Sequence, residues 1–172
     1  MLNLFPTIEY DAIGNGKTKT VTDLLRRVKV HSKVKSNVLS YDFYDVIEGD
    51  TPDSVADMFY GDPKLSWVIL MVNDITDRYN QWPMSNFEWV QYLNNKYTNI
   101  NAVHHYYITQ TSGNTDIRID IGTSNADHAG ATPVTNYDYE EDIQNQLRRI
   151  RILDARYLDQ FIEDFDTLIN ED

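Results

Sequence analysis

Two helix-start signals a short distance apart limit what the middle of this chain can fold into. In Gly49-Asp50-Thr51-Pro52, Thr51 can cap a helix whose first position is Pro52, with Asp53 in its first turn. Gly61 then supplies the left-handed conformation that ends a helix, and Asp62-Pro63 repeats the start signal. A second helix should therefore run from Pro63 through Val72. Upstream, Asp42 to Ile47 alternates as a strand and stops at Gly49-Asp50. The spacing predicts a β-α-α unit over roughly residues 41–82. A piece that small sits near the lower limit for independent stability, so it should pack on its flanks. Trp67, inside the aliphatic run of the second helix, is expected to bury its ring.

On the N-terminal side, Phe5 to Gly16 reads as an irregular arm ending in the turn Gly14-Asn15-Gly16. Val21, Leu24, Leu25 and Val28 follow helical spacing and predict a short basic helix starting after Thr20 or Thr22. On the C-terminal side, Ser85-Asn86-Phe87-Glu88 fits a capping box, with an apolar stripe of Phe87, Val90, Leu93 and Tyr97. Val103–Thr109 and Ile117–Ile121 alternate and predict a β-hairpin, and residues 122–136 a long polar loop. A strand around Leu147 to Leu153 should precede a final helix with Leu158, Ile162, Phe165 and Ile169 on one face and acids on another. The expected class is α+β in three segments: an arm over 1–40, the central unit over 41–82, and a C-terminal extension over 83–172.

Composition narrows the function classes. The 172 residues carry 27 acids against 15 Lys and Arg, a formal net charge of −12, which disfavours a general nucleic-acid binder. There is no cysteine, hence no disulfide, thiolate nucleophile or Cys-based zinc site. The longest apolar run, Trp67 to Val72, is far too short to cross a bilayer, and residues 1–20 lack signal-peptide features, so neither membrane insertion nor export by that route is expected. Twelve tyrosines suggest protein interfaces. Charge is also uneven. Arg26, Arg27, Lys29, Lys33 and Lys35 crowd one stretch and form a candidate partner-binding patch, whereas the last helix is acidic.

Chemistry has little support. Gly16-Lys17-Thr18 resembles the end of a phosphate loop, but the position that needs the first glycine is Asp11. His104 and His105 are neighbours on a strand and should point to opposite faces, away from a shared metal. Glu140, Glu141 and Asp142 lie in a polar run, and paired-carboxylate catalysis needs a buried acid. No catalytic, cofactor or metal residue is expected.

One segment is specific. Tyr44, Gly49, Asp50 and Thr51, followed by Tyr60, Gly61, Pro63, Trp67 and Asn73, resembles the LysM module, a strand and two consecutive helices. The resemblance implies binding of N-acetylglucosamine-containing glycans, but Tyr79 and Trp82 stand where the module's closing strand belongs, so glycan binding is not expected here. The likeness widens through Phe5, Ile8-Glu9-Tyr10, Thr22-Asp23-Leu24 and Tyr60-Gly61-Asp62-Pro63…Trp67-Val68…Asn73-Asp74, then through the helix from Ser85. Over these residues the chain is similar to the LysM-containing baseplate wedge subunits of T4-like contractile-tailed phages. It is weak over 98–136 and returns near the C-terminus in Leu147 to Leu153 and the acidic amphipathic helix that follows. The resemblance implies a non-enzymatic structural protein of the virion tail baseplate, assembled in the host cytoplasm. Its implied partners are other wedge proteins, the hub and the sheath-initiating region. The alternative is a peptidoglycan-binding LysM module associated with a tail lysin.

Overall fold

The structure, a computed structural model, describes residues 4–30, 40–110, 113 and 117–171. It is mixed α and β and divides into two compact units, Met1–Gln81 with Ile150–Asp172, and Trp82–Arg149.

The first unit opens with an antiparallel hairpin, β1 (Thr7–Tyr10) and β2 (Lys19–Thr22), in register Ile8 to Val21. This corrects two expectations at once. The arm is not irregular, and β2 stands where the basic helix was expected, with no helix among residues 23–30. Thr20, Val21 and Thr22 are β-branched and pair readily across a hairpin. Leu24 and Leu25 are 62% and 87% exposed, so their helical spacing had no core to face.

The centre of the unit follows its local signals closely. Strand β3 (Tyr41–Asp45) leads to helix α1 (Pro52–Tyr60), whose N-cap is Thr51 and whose left-handed C-cap is Gly61 at φ 72°. Asp62 caps a 3₁₀ turn (Pro63–Leu65) that continues into helix α2 (Ser66–Val72), and a short helix α3 (Arg78–Gln81) follows. The strand paired with β3 is β7 (Arg149–Leu153), from the far end of the chain. A 3₁₀ turn (Ala155–Tyr157) and helix α6 (Leu158–Asn170) complete the unit. Its core gathers Tyr41, Trp67, Val68, Val72, Leu153, Leu158, Phe165 and Ile169. Trp67 is 8% exposed, with its ring 4.7 Å from that of Phe165, centroid to centroid.

In the second unit, helix α4 (Asn86–Lys96) starts at the expected capping box, Ser85 with Glu88. Of its expected stripe only Leu93 is buried; Phe87 and Val90 are exposed, and Tyr97 is the C-cap. The unit's sheet has the order β5-β4-β6, built from β4 (Val103–Thr109), β5 (Arg118–Gly122) and β6 (Thr132–Thr135), with β4 antiparallel to both neighbours. The expected 122–136 loop therefore ends in a strand. Pro133 is accommodated because β6 is an edge, where a missing N–H costs the ladder nothing. Helix α5 (Asn136–Arg148) is a second correction: its capping box, Thr135 with Asp138, precedes a stretch too polar to register as helix by apolar spacing. Because α5 extends to Arg148, the last strand starts at Arg149 and not at Leu147.

Trp67→Ala should lower the unfolding free energy by about 3–5 kcal/mol, as large aromatic truncations do in packed cores. Urea denaturation checks this, and a loss below about 1 kcal/mol would mean that the site collapses around the missing ring.

Candidate functional site

The residues singled out around the first helix pair form a connected hydrogen-bonded frame. Gly49 takes φ 88°, turning the chain so that Asp50 faces back on the strand. One carboxylate oxygen of Asp50 accepts from the Tyr44 hydroxyl at 2.6 Å and from the Ile47 N–H at 3.1 Å. The bond to that carboxylate, reinforced by partial burial, pushes the Tyr44 phenol up to about 12. Thr51 and Ser54 cap α1 reciprocally: the Ser54 N–H donates to Thr51 Oγ1 at 3.2 Å, and the Thr51 N–H donates to Ser54 Oγ at 2.9 Å. Past Gly61, Asp62 Oδ1 accepts from the Lys64 N–H at 2.9 Å, leaving Pro63 at the position that needs no donor. Tyr60 sits partly buried against the core, where burial pushes its phenol up to about 12.

Asn73 does the most distant work in this frame. Its amide nitrogen donates to the carbonyls of Ile69 at 2.9 Å and Arg151 at 2.8 Å, while its Oδ1 accepts from the Arg151 N–H at 2.8 Å. The side chain thus finishes α2 and pairs with both backbone groups of one residue in β7. Trp67, six residues earlier, carries the core beneath. None of these groups is arranged as a nucleophile with its base; they hold the fold.

The basic stretch separates into parts. The Arg26 guanidinium donates to the carbonyls of Ile169 and Glu171 at the end of α6, and its Nε lies 3.6 Å from Asp23. A cation at a helix C-terminus meets the negative end of the dipole, so Arg26 serves the fold. Arg27 and Lys29 are exposed and line a cavity of about 590 Å³ with Val28, Trp67 and Met71. Lys33 and Lys35 lie outside the described residues. The phosphate-loop likeness also resolves here. The Ile13, Gly14 and Gly16 N–H groups donate to the Asp11 carboxylate at 3.1, 2.7 and 2.6 Å, so the chain's own anion uses the donors a phosphate would need.

In the second unit the structure corrects two expectations about chemistry. Glu140 is 2% exposed, although the run it lies in is polar. Its Oε1 accepts from Lys96 Nζ at 2.7 Å and Tyr97 OH at 2.5 Å, and its Oε2 accepts from Tyr92 OH at 3.0 Å. Burial alone would raise this carboxyl, but the Lys96 ammonium and the two phenols outweigh it and hold Glu140 below the usual range. The bonds that Lys96 donates to Glu140 and to the Tyr92 hydroxyl raise Lys96 in turn. A carboxylate held ionised by three hydrogen-bond donors is a structural clamp between α4 and α5, not a proton shuttle. Position along the sequence could not reveal it, because the polar run around Glu140 hides the one acid that turns inward.

The histidines also meet. A register shift in β4 between Val103 and His105 breaks the strict alternation of faces, and His104 Nδ1 lies 2.9 Å from His105 Nδ1. His104 stacks on Tyr139 with ring centroids 3.9 Å apart. Among the described residues, no group of three or more His, Asp or Glu side chains could hold a metal ion.

Comparison with known proteins supplies what side-chain chemistry does not. A family profile described as base plate wedge protein 53 matches residues 1–117. The chain belongs to the base plate wedge protein 53 family. Its curated relatives include the baseplate wedge protein gp53 of Enterobacteria phage T4, which is 30% identical over 116 residues. That alignment spans 66% of this chain and 59% of the phage T4 protein, so the chain matches less than two thirds of its relative's length. Within the family match lie the hairpin, α1 and α2, α4 and β4; β7 and α6 lie beyond it.

The clamp sets a pH dependence. Glu140's folded value is depressed, so its stabilisation is present above the unfolded carboxyl value, about 4.3, and is lost as pH falls through the folded value. Glu140→Gln should cost about 1–3 kcal/mol at pH 7, since Lys96 is partly exposed and can rehydrate. Urea titrations across pH 3–7 should show wild type and variant converging towards the acid end. A constant gap over that range would assign the cost to packing and not to charge.

Proposed function

We propose that this chain is a structural subunit of the phage tail baseplate wedge, and that it joins wedges to one another and to hub and sheath-initiating proteins through several separate contacts. The observation that carries the reading is the family match over residues 1–117. Polar networks that serve caps, turns and a buried clamp, in place of a nucleophile with its base, support a role without catalysis. The virion baseplate is the proposed location, with assembly in the host cytoplasm.

Within that role we read residues 41–82 as a LysM-like unit. What supports it is a strand, a capped helix, a capped 3₁₀ turn that runs into a second helix, and a second strand supplied by β7 from the end of the chain. Residues 1–40 and 83–172 are then its arm and extension, and the packing the small unit needs for stability comes from the arm and from residues 150–172. The LysM-like part serves as a scaffold in this reading, and glycan binding is not among its functions. Asp50, Thr51 and Asn73 direct their polar groups into the unit's own backbone, which leaves them poorly disposed to bind sugar hydroxyls.

Deleting the gene should yield particles without joined baseplates, and the chain should be found by mass spectrometry in baseplates purified from wild-type infections. Normal assembly without it would overturn the wedge role. Calorimetry of the purified chain with chitin or peptidoglycan oligomers should show no saturable binding at about millimolar ligand, near 4 kcal/mol. Micromolar affinity would instead favour the peptidoglycan-binding module of a tail lysin.

A further inference from the structure

The cavity beside the basic stretch has three properties that together describe an occupant. Its floor is apolar, formed by Val28, Trp67, Leu70, Met71 and Ile75, and its volume of about 590 Å³ falls within the roughly 300–1,000 Å³ typical of specific binding clefts. Its rim carries Arg27 and Lys29, both exposed and, among the described residues, in no ion pair, on a chain of net charge −12. Its third property concerns the main chain. Residues 27–30 have no regular secondary structure, and among the described residues their backbone takes part in no hydrogen bond.

We infer that this cleft is a docking site for an acidic, extended segment of another baseplate protein. The inference rests on the wedge reading above. An extended peptide can pair its own backbone with an open main-chain edge, while alternate side chains enter the pocket, which is the logic of strand addition. Apolar side chains of the segment fill the floor over Trp67 and Met71, and carboxylates on the outward positions meet Arg27 and Lys29. Asp74 forms part of the lining, so the segment is acidic at the Arg27 and Lys29 wall and uncharged or basic next to Asp74. Arg26 is excluded from the contact because its guanidinium is committed to the end of α6. Opposite charge across such a rim sets orientation and encounter rate more than raw affinity.

The test places a photo-crosslinking benzophenone amino acid at Met71 of the full chain, expressed during infection, with baseplates then purified and crosslinked peptides sequenced. The expected product is one peptide of another baseplate protein, with acids beside apolar residues. Arg27→Glu with Lys29→Glu should reduce the crosslink about five- to tenfold, the scale of two rim ion pairs, and leave the thermal melt of the purified chain unchanged. The milder Arg27→Gln with Lys29→Gln should reduce it less and serves if the reversal perturbs folding. Hydrogen exchange at residues 27–30 should be fast in the isolated chain and slowed in purified baseplates. Baseplates that contain the chain but give no crosslink, a crosslink within this chain or to a second copy, a segment without acids, or exchange that stays fast would each overturn the cleft inference while leaving the wedge role intact. Absence of the chain from baseplates would overturn both.

Discussion

The pairing of β3 with β7 is the constraint on which the first unit depends. A strand and two short helices cannot close a core by themselves, because one edge of β3 and one face of α2 would remain open. β7 supplies the missing edge, and α6 places Phe165 and Ile169 against Trp67 and Val72. The Asn73 side chain joins the two halves by taking both backbone groups of Arg151. Bringing so distant a strand into place is less costly than its separation in sequence suggests. Loop-closure entropy rises only with the logarithm of loop length, about 0.6 kcal/mol per doubling. The burial of Ile152 and Leu153, each 2% exposed, readily offsets that.

The second unit relies on polar order more than on apolar bulk. Its buried residues include Glu140 and Gln144, and Gln144 accepts from the Met84 N–H at 3.0 Å. A buried carboxylate is costly unless it is paired and hydrogen-bonded, and here Lys96, Tyr92 and Tyr97 all donate to it. Such a network penalises any alternative seating of α5 on α4, since a slipped helix would strand a charge in an apolar setting. The tyrosine surplus that suggested interfaces is thus partly internal: Tyr92 and Tyr97 are hydrogen-bond donors to Glu140, and Tyr139 is the stacking partner of His104.

The chain separates, residue by residue, side chains that serve its fold from side chains left at its surface. In the basic stretch, Arg26 stabilises a helix end while its neighbours Arg27 and Lys29 face outward at an apolar cleft. The hairpin of β1 and β2 has both strands exposed, and its loop is held internally by Asp11, whose carboxyl is kept low by the N–H groups it accepts. Exposed apolar groups such as Phe87, Val90 and Leu25 belong to the same pattern of surface not spent on folding.

What the sequence by itself determined was set by contacts between near neighbours. Thr51, Gly61, Asp62-Pro63 and Ser85 with Glu88 mark real helix ends, because caps and turns depend on a few adjacent backbone groups. The alternation of β4 and the acidic amphipathic last helix were legible for the same reason. The family likeness, too, could be read from motif residues. Tertiary structure decided the rest. Val21, Leu24, Leu25 and Val28 carry helical spacing, yet hairpin pairing with Thr7–Tyr10 claims Val21 and no core faces the leucines. Helix α5 was hidden because its inward side is a carboxylate and an amide, which Lys96, Tyr92, Tyr97 and the Met84 N–H make tolerable. One bulge turned two histidines towards each other against the rule of alternation. The strand that pairs with β3 is Arg149–Leu153, from the far end of the chain, and no local signal says which strand a strand will pair with; that choice belongs to the core both must bury.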